Sequence, residues 1–104
     1  MSEQKWYRQG EILINKIELI SKVNMNKYKE NGVIREGEAT GHLHKLDENA
    51  ELYENEDGVM FFRVKGESAV LSHPEHAPIT FPKGDYQVTI QREYDELGYK
   101  YIAD

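Results

Sequence analysis

A chain of 104 residues is long enough for one hydrophobic core, and we expect a single domain over residues 1–104. Hydrophobic residues make up 38% of the chain and charged residues 31%, a balance typical of folded proteins and unlike that of disordered ones. The formal net charge of −6 opposes the cationic surface that duplex DNA binding requires, and the absence of cysteine excludes disulfides, thiolate zinc sites and a cysteine nucleophile.

The first predicted element fits two patterns. Ile12 and Ile14 alternate with other residues as in a strand, whereas Leu13, Ile17 and Ile20 fit a helical stripe. We therefore expect a strand here, followed by at most one short helix.

Turn signals then recur at the short spacing of small all-β domains. Asn31 and Gly32 predict a turn before a short strand at residues 33–35, and Gly37 and Gly41 bound a corner. Short strands joined by tight turns are thus the expected pattern for this part of the chain.

The clearest predicted hairpin has its turn at Asp57 and Gly58, which supply positive φ angles between residues 52–53 and the β-rich run 59–64. Within that run, residues 59–62 are apolar on both faces of the strand. Because both faces then need cover, we expect a homodimer.

A further strand is predicted at residues 69–72, followed by a proline-containing loop that carries His73 and His76. A second turn is predicted at residues 82–85, where proline, glycine and aspartate occur together.

The longest predicted strand is the last of the predicted elements. One face carries Arg92 among apolar residues, where a charge needs an ionic partner or an anionic ligand. The predicted fold is all-β with at most one short helix, a small single-domain barrel or sandwich. The alternating face consists of Tyr86, Val88, Ile90, Arg92 and Tyr94.

All four histidines lie in two short segments. If residues 41–46 form a strand, His42 and His44 share a face with Cβ atoms about 7 Å apart, near enough to address one metal ion or one phosphate. His73 and His76 share the proline-containing loop. Each pair alone is also compatible with packed or solvated rings, but the concentration of all four favours a functional site.

Cations near the histidines would suit an anionic ligand. Arg92 can clamp a phosphate or carboxylate, and Lys45 and Tyr94 are the other candidate substrate contacts. Four nearby glutamates are possible acid partners, although surface charge is the simpler interpretation of each: Glu38, Glu48, Glu75 and Glu93.

The first resemblance is to cupins, and it covers about half of the chain. The segment "GEATGHLHKLDE" offers His42, His44 and Glu48 at the spacing of cupin metal ligands, and residues 82–84 resemble the later proline-x-glycine turn. Gln87 stands where a cupin carries its third histidine, and Gln is a poor metal ligand. We therefore expect no bound metal and no cofactor.

The second resemblance extends from Gly37 almost to the C-terminus. The segments "GEATGHLH", "LSHPEH", "FPKGDYQV" and "QREYD" are similar to a family of small proteins of bacteria, phages and plasmids that we identify with the homodimeric ring nucleases. Those enzymes cleave cyclic oligoadenylates, the second messengers of type III CRISPR immunity. The resemblance implies a homodimer with a cyclic oligoadenylate as its partner and His42, His44, His73 and His76 as catalytic residues.

Metal-independent cleavage needs a base for the ribose 2′-hydroxyl, an acid for the leaving 5′-oxygen and cations near the phosphate, all of which His, Lys and Arg can supply. Two alternatives remain open at this stage. One is a cupin-like metal-binding protein, and the other is a phage-encoded inhibitor that binds a host nucleotide or protein without turnover.

We expect a cytoplasmic protein that does not contact membranes. The sequence has no apolar run of membrane length, and its first residues lack the basic segment followed by an apolar stretch that marks a signal peptide.

Overall fold

The computed structural model describes residues 6–37, 40–90, 92–95 and 98–101, with side chains only as far as residue 90. The described part is an all-β fold built on a curled antiparallel sheet, which confirms the predicted fold class. The strands are β1 (Trp6–Gln9), β2 (Ile12–Ile17), β3 (Lys27–Tyr28), β4 (Val33–Glu36), β5 (Leu43–Leu46), β6 (Ala50–Glu54), β7 (Met60–His73), β8 (His76–Ile90), β9 (Arg92–Asp95) and β10 (Gly98–Tyr101).

Two long strands organise the main sheet. β7 and β8 pair antiparallel along most of their length, and the main path of the sheet runs β1-β2-β8-β7-β5-β4. The first part of β7 also pairs with β6, whereas its last part pairs with β5. Because the sheet curls, the end of β1 reaches the turn that joins β7 to β8, where the Gln9 side chain donates to the carbonyl oxygens of Leu71 and Ala77.

The core lies where the apolar faces of the long strands meet. Tyr86 and Val88 are buried, whereas Gln87 is only partly buried and Thr89 is exposed. The predicted alternation is thus confirmed for residues 86–89. Aromatic rings pack at the centre, with Phe62 stacked on Tyr86 at a centroid distance of 4.9 Å. The buried set is Tyr7, Ile12, Ile14, Ile34, Leu46, Leu52, Phe62, Val64, Ala69, Leu71, Phe81, Tyr86 and Val88.

The first segment is a strand, and the helical interpretation of its apolar residues is wrong. Ile12 and Ile14 are both fully buried in β2, which pairs on one side with β1 and on the other with β8. Ladder bonds on both sides satisfy the backbone, so a helix gains nothing here. A single 3₁₀ turn at Lys22–Asn24 follows. The described part of the chain has no helix with the length and apolar character that crossing a membrane requires.

The hairpin between β6 and β7 is present as predicted, but its turn is wider. Gly58 has a positive φ of 82°. Within the described ranges only glycines have positive φ angles, so Asp57 does not have the one predicted for it. The side chain of Asn55 closes the loop, because its Oδ1 accepts from the N–H groups of Asp57 and Val59. In the following strand Phe61 and Phe62 are both buried within the single chain, so they no longer argue for a dimer.

The turn predicted at residues 82–85 is wrong, because β8 runs through it. Pro82 pairs with Ser68 and Gly84 with Val64, and the register of the β7–β8 ladder shifts between these pairs. The proline–glycine signal therefore marks an irregularity in a long strand, held by pairing on both sides of it.

The longest strand was predicted to continue to Tyr94, but that continuation passes through Gln91, which lies outside the described residues. β8 ends at Ile90, and β9 pairs with β10 in a separate two-stranded sheet. The side chains of Arg92 and Tyr94 lie outside the described residues, so their predicted contacts with a substrate stay predictions.

Candidate functional site

The four histidines come together at one end of the curled sheet. His44 lies on β5, His73 ends β7, His76 begins β8, and His42 directly precedes β5. The ring centroid of His73 lies 5.6 Å from that of His42, 4.3 Å from that of His44 and 4.6 Å from that of His76. His73 is thus the centre of a cluster that three chain segments build, and we call these four residues the histidine cluster.

His44 lies at the buried end of the histidine cluster. Its side chain has no exposed surface, and polar groups bind both ring nitrogens. Nδ1 lies 2.8 Å from Gln9 Oε1, and Nε2 lies 2.8 Å from Glu11 Oε1. Glu11 is also buried, and its Oε2 accepts from Arg35 Nε at 3.3 Å. A continuous polar chain therefore runs from Gln9 through His44 and Glu11 to Arg35.

Hydrogen-bond donors and acceptors fix where the protons of this chain lie. Gln9 Nε2 donates to the carbonyl oxygens of Leu71 and Ala77, so Gln9 presents its oxygen to His44. His44 Nδ1 must then carry a proton. On the other side of the ring, Nε2 contacts the Glu11 carboxylate at 2.8 Å.

Opposing effects act on the pKa of His44. Burial lowers it by disfavouring the imidazolium, and Glu11 acts to raise it through charge and hydrogen bonding. The neighbouring His73 and His76 add to the lowering, and the net direction is below the ordinary pKa of histidine.

His73 and His42 both contact Glu75. The backbone N–H of Glu75 donates to His73 Nδ1 at 3.0 Å, so a neutral His73 ring carries its proton on Nε2. His42 Nδ1 lies 3.2 Å from Glu75 Oε1, close enough for an ion pair but without the alignment of a hydrogen bond. The side chains of His42 and Glu75 are 35% and 52% exposed, so they form the accessible rim of the histidine cluster.

Gly10 gives the histidine cluster its space. Its φ is +58°, and a Cβ atom here would lie 2.9 Å from His76 Nε2 and 3.4 Å from His44 Cε1. His76 Nε2 is buried with no hydrogen-bond partner in the described part of the chain. A side chain at position 10 would therefore displace the His76 ring.

Several predicted site residues lie elsewhere. Lys45 and Glu48 line a separate cavity of about 580 Å³ with Tyr28, because Lys45 alternates with His44 along β5 and faces the other way. Gln87 pairs with Asn15 and Phe61, in the part of β8 far along the strand from His76. The cupin-like ligand set is thus not assembled. Glu38 and the side chain of Glu93 lie outside the described residues.

Sequence reasoning missed Gln9, Gly10, Glu11 and Arg35. One signal was available, because Gln9 follows Tyr7 at the spacing of a strand and so falls on the buried face of β1. Nothing comparable marked Glu11, which is one of many acidic residues. Within the described ranges, no three histidine or carboxylate side chains are arranged to hold a metal ion.

The comparisons with known proteins give a family whose function is unknown. No curated protein and no solved structure matches the chain. One family model matches residues 8–91, a span that contains the whole histidine cluster and its polar chain but ends before Arg92. The match covers most of the sequence, and the chain therefore belongs to the family described as a domain of unknown function, DUF8820.

Proposed function

We propose that the histidine cluster is a metal-independent acid–base site that cleaves the phosphodiester bonds of a cyclic oligoadenylate. The observation that supports this most directly is the pair at the rim, where the Glu75 carboxylate lies 3.2 Å from Nδ1 of the accessible His42. A carboxylate at one imidazole nitrogen stabilises the imidazolium that forms when the other nitrogen takes a proton. His42 is accordingly the general base in this proposal.

His73, which is 6% exposed, is the hydrogen-bond donor to the phosphate in the same scheme. Its Nδ1 accepts the Glu75 N–H, so its proton is carried on Nε2, and its ring centroid lies 5.6 Å from that of His42. His42 removes the proton of a ribose 2′-hydroxyl, and the oxygen attacks the adjacent phosphorus. The bond from phosphorus to the 5′-oxygen breaks, and the imidazolium of His42 gives that oxygen the proton it took. The products end in a 2′,3′-cyclic phosphate and a 5′-hydroxyl.

Two arginines supply positive charge near the histidine cluster. Arg35 contacts Glu11 at the buried end of the histidine cluster. Arg8 donates from Nε to the carbonyl oxygen of Gly10, beside His76. Positive side chains beside the histidine cluster favour a phosphate ligand even on a protein of negative net charge, because attraction is governed by the local field.

The choice of a cyclic oligoadenylate rests on the resemblance of "GEATGHLH" and "LSHPEH" to the ring nucleases. The same resemblance supports a homodimer, in which a symmetric ring would meet each histidine cluster across a two-fold axis. Light scattering at micromolar concentration tests the dimer, and a monomer would remove the two-fold part of the proposal.

Cleavage of cyclic oligoadenylates of several ring sizes, in excess EDTA, tests the activity. We expect cleavage that EDTA leaves intact, with 2′,3′-cyclic phosphate products. Analogues with 2′-deoxy or 2′-O-methyl ribose should bind without being cut, because they lack the internal nucleophile, whereas a metal-activated water would still cut them.

Single variants locate the chemistry. His42→Ala should lower the rate by about 10²-fold or more, and the same change at the exposed Lys65, which pairs with Glu51 away from the histidines, should leave the rate unchanged. Folded protein that leaves every ring intact would refute the proposal. Tight binding without cleavage would instead identify an inhibitor, and a stoichiometric metal on elemental analysis would favour a metal site.

A further inference from the structure

Two residues of the histidine cluster, His44 and His42, differ in their access to a substrate. His44 is fully buried and uses both ring nitrogens in bonds to protein groups, so it has no nitrogen left for a substrate. His42, in contrast, has a side chain that is 35% exposed. A group that takes part in proton transfer with a substrate must reach it, so His44 does not fit the catalytic role that the sequence suggested.

We propose that Gln9 and Glu11 are positioning residues, which act by holding the buried His44 ring as a fixed platform for the catalytic histidines. This inference rests on the proposed function, since it explains how the same site is kept in order. The His44 ring lies 4.3 Å from His73 and 6.0 Å from His76 by centroid distance, and it is nearly parallel to the His76 ring. A rotated or displaced His44 would therefore displace the His73 ring that donates to the phosphate.

Each end of the platform is itself anchored. Gln9 cannot reverse its amide, because its nitrogen bonds the carbonyl oxygens of Leu71 and Ala77 at the two sides of the β7–β8 turn. Glu11 is held by Arg35, the residue of β4 that pairs with His44 across the ladder. The positioning residues thus tie His44 to the turn that carries His73 and His76.

The charged and titratable groups around His44 come from four elements. They are Glu11 from the β1–β2 turn, Arg35 from β4, His73 from β7 and His76 from β8. Glu11 is the group that contacts His44 Nε2, and this makes Glu11 the informative position for substitution.

Two substitutions separate hydrogen bonding from simple packing. In Glu11→Gln the new amide can donate to His44 Nε2 while Nδ1 still donates to Gln9, so the ring keeps its place. In Glu11→Met a side chain of similar length offers no bond to Nε2 and frees the ring to move. Asp85→Asn is the matched control, because Asp85 is a second buried carboxylate that bonds an arginine away from the histidine cluster.

Steady-state cleavage of a cyclic oligoadenylate gives the first readout. We expect Glu11→Met to lower kcat by about 10²-fold with KM changed less than about threefold, because the platform does not touch the substrate. Glu11→Gln should recover at least about tenfold of that loss, and Asp85→Asn should keep the wild-type kcat. A folded Glu11→Met protein with wild-type kcat, or a Glu11→Gln protein as slow as Glu11→Met, would overturn the inference.

Imidazole NMR gives a readout that needs no turnover. In the wild-type protein His44 should hold a proton on Nδ1, and its signals should stay in place when a 2′-deoxy analogue is added, while those of His42 move. His44 signals that move as far as those of His42 would overturn the positioning role. Wild-type protein that cuts no ring while His44 keeps its fixed proton would refute the proposed function and leave the platform intact, so the two failures are distinguishable.

Discussion

Two buried carboxylates lie in different regions of the protein and show how similar groups serve different purposes. Asp85 accepts two bonds from Arg63, at 2.9 and 3.0 Å, and one from the backbone N–H of Ile20 at 2.8 Å. Glu11 accepts one bond from Arg35 and contacts Nε2 of His44 at 2.8 Å. All donors to Asp85 stay protonated at any physiological pH, whereas one partner of Glu11 can change its protonation state.

The pKa values of Asp85 and His44 are both lowered, but for different reasons. Burial acts to raise the pKa of Asp85, but the bonds from Arg63 and from the Ile20 N–H outweigh it and hold the pKa below its ordinary value. For His44, burial lowers the pKa and the attraction of Glu11 does not offset it. Asp85 thus forms an ion pair with Arg63 that fastens the loop before β3 to β8, while Glu11 holds an imidazole whose charge can change with pH.

The largest expected effect on stability follows from removing the Glu11 carboxylate. Glu11→Ala leaves His44 and Arg35 without their shared partner inside the protein, and removal of one member of such a buried pair costs about 3–5 kcal/mol. Urea unfolding followed by circular dichroism measures the loss. A loss below about 1 kcal/mol would mean that water replaces the carboxylate, and the contrast with Asp85 would disappear.

A smaller loss is expected at the other carboxylate. Asp85→Ala removes three charge-assisted bonds, but the Arg63 side chain is 33% exposed and can turn to water. We expect a loss of about 2–3 kcal/mol, mainly from the unpaired Ile20 N–H. The same urea series measures it, and ring cleavage by the remaining folded protein should be unchanged. Reduced cleavage at full folding would show that the two regions are coupled.

Local sequence signals predicted one half of the candidate site and missed the other. The strand and the hairpin turn that carry His42, His44, His73 and His76 have short-range patterns, so their existence could be inferred. Whether the two histidine pairs meet depends on β5 pairing with the end of β7, which is a contact between residues far apart in sequence. The sequence concentration of the four rings suggested that contact but could not establish it.

The missed half comes from the curl of the sheet. Gln9 and Glu11 reach the histidines only because β1 crosses to the β7–β8 turn, and nothing in a linear sequence encodes that crossing in a readable form. The opposite error occurred at Pro82 and Gly84, where a strong turn signal was overridden by ladder pairing on both sides. Long-range pairing thus decided both cases against the local pattern.

A third effect, intermediate in size, compares two glycines with positive φ. Gly10→Ala and Gly58→Ala share the backbone cost of this conformation, about 1–2 kcal/mol, but their surroundings differ. A Cβ atom at Gly10 would meet His76 Nε2 at 2.9 Å, whereas at Gly58 the nearest side-chain atom is Glu54 Oε2 at 3.9 Å. Gly10→Ala should therefore be the less stable and should also lower ring cleavage, while Gly58→Ala should cleave normally. Equal stability of the two variants, measured by urea unfolding, would show that the His76 ring yields freely.

The smallest expected effect is the pH dependence of stability, and it separates the two regions by window. The folded pKa of His44 is lowered from 6.5, so unfolding binds a proton and the free energy of unfolding falls as pH drops below about 6.5. The folded pKa of Asp85 is lowered from 3.8, so its contribution is complete at neutral pH and is lost only below about pH 4. Each group changes the free energy by at most about 1.4 kcal/mol per pH unit. Urea unfolding at a series of pH values should show the upper window abolished by His44→Gln and the lower one by Asp85→Asn. If His44→Gln left the upper window unchanged, the proton of the buried platform would not be coupled to folding, and the contrast drawn between Glu11 and Asp85 would fail.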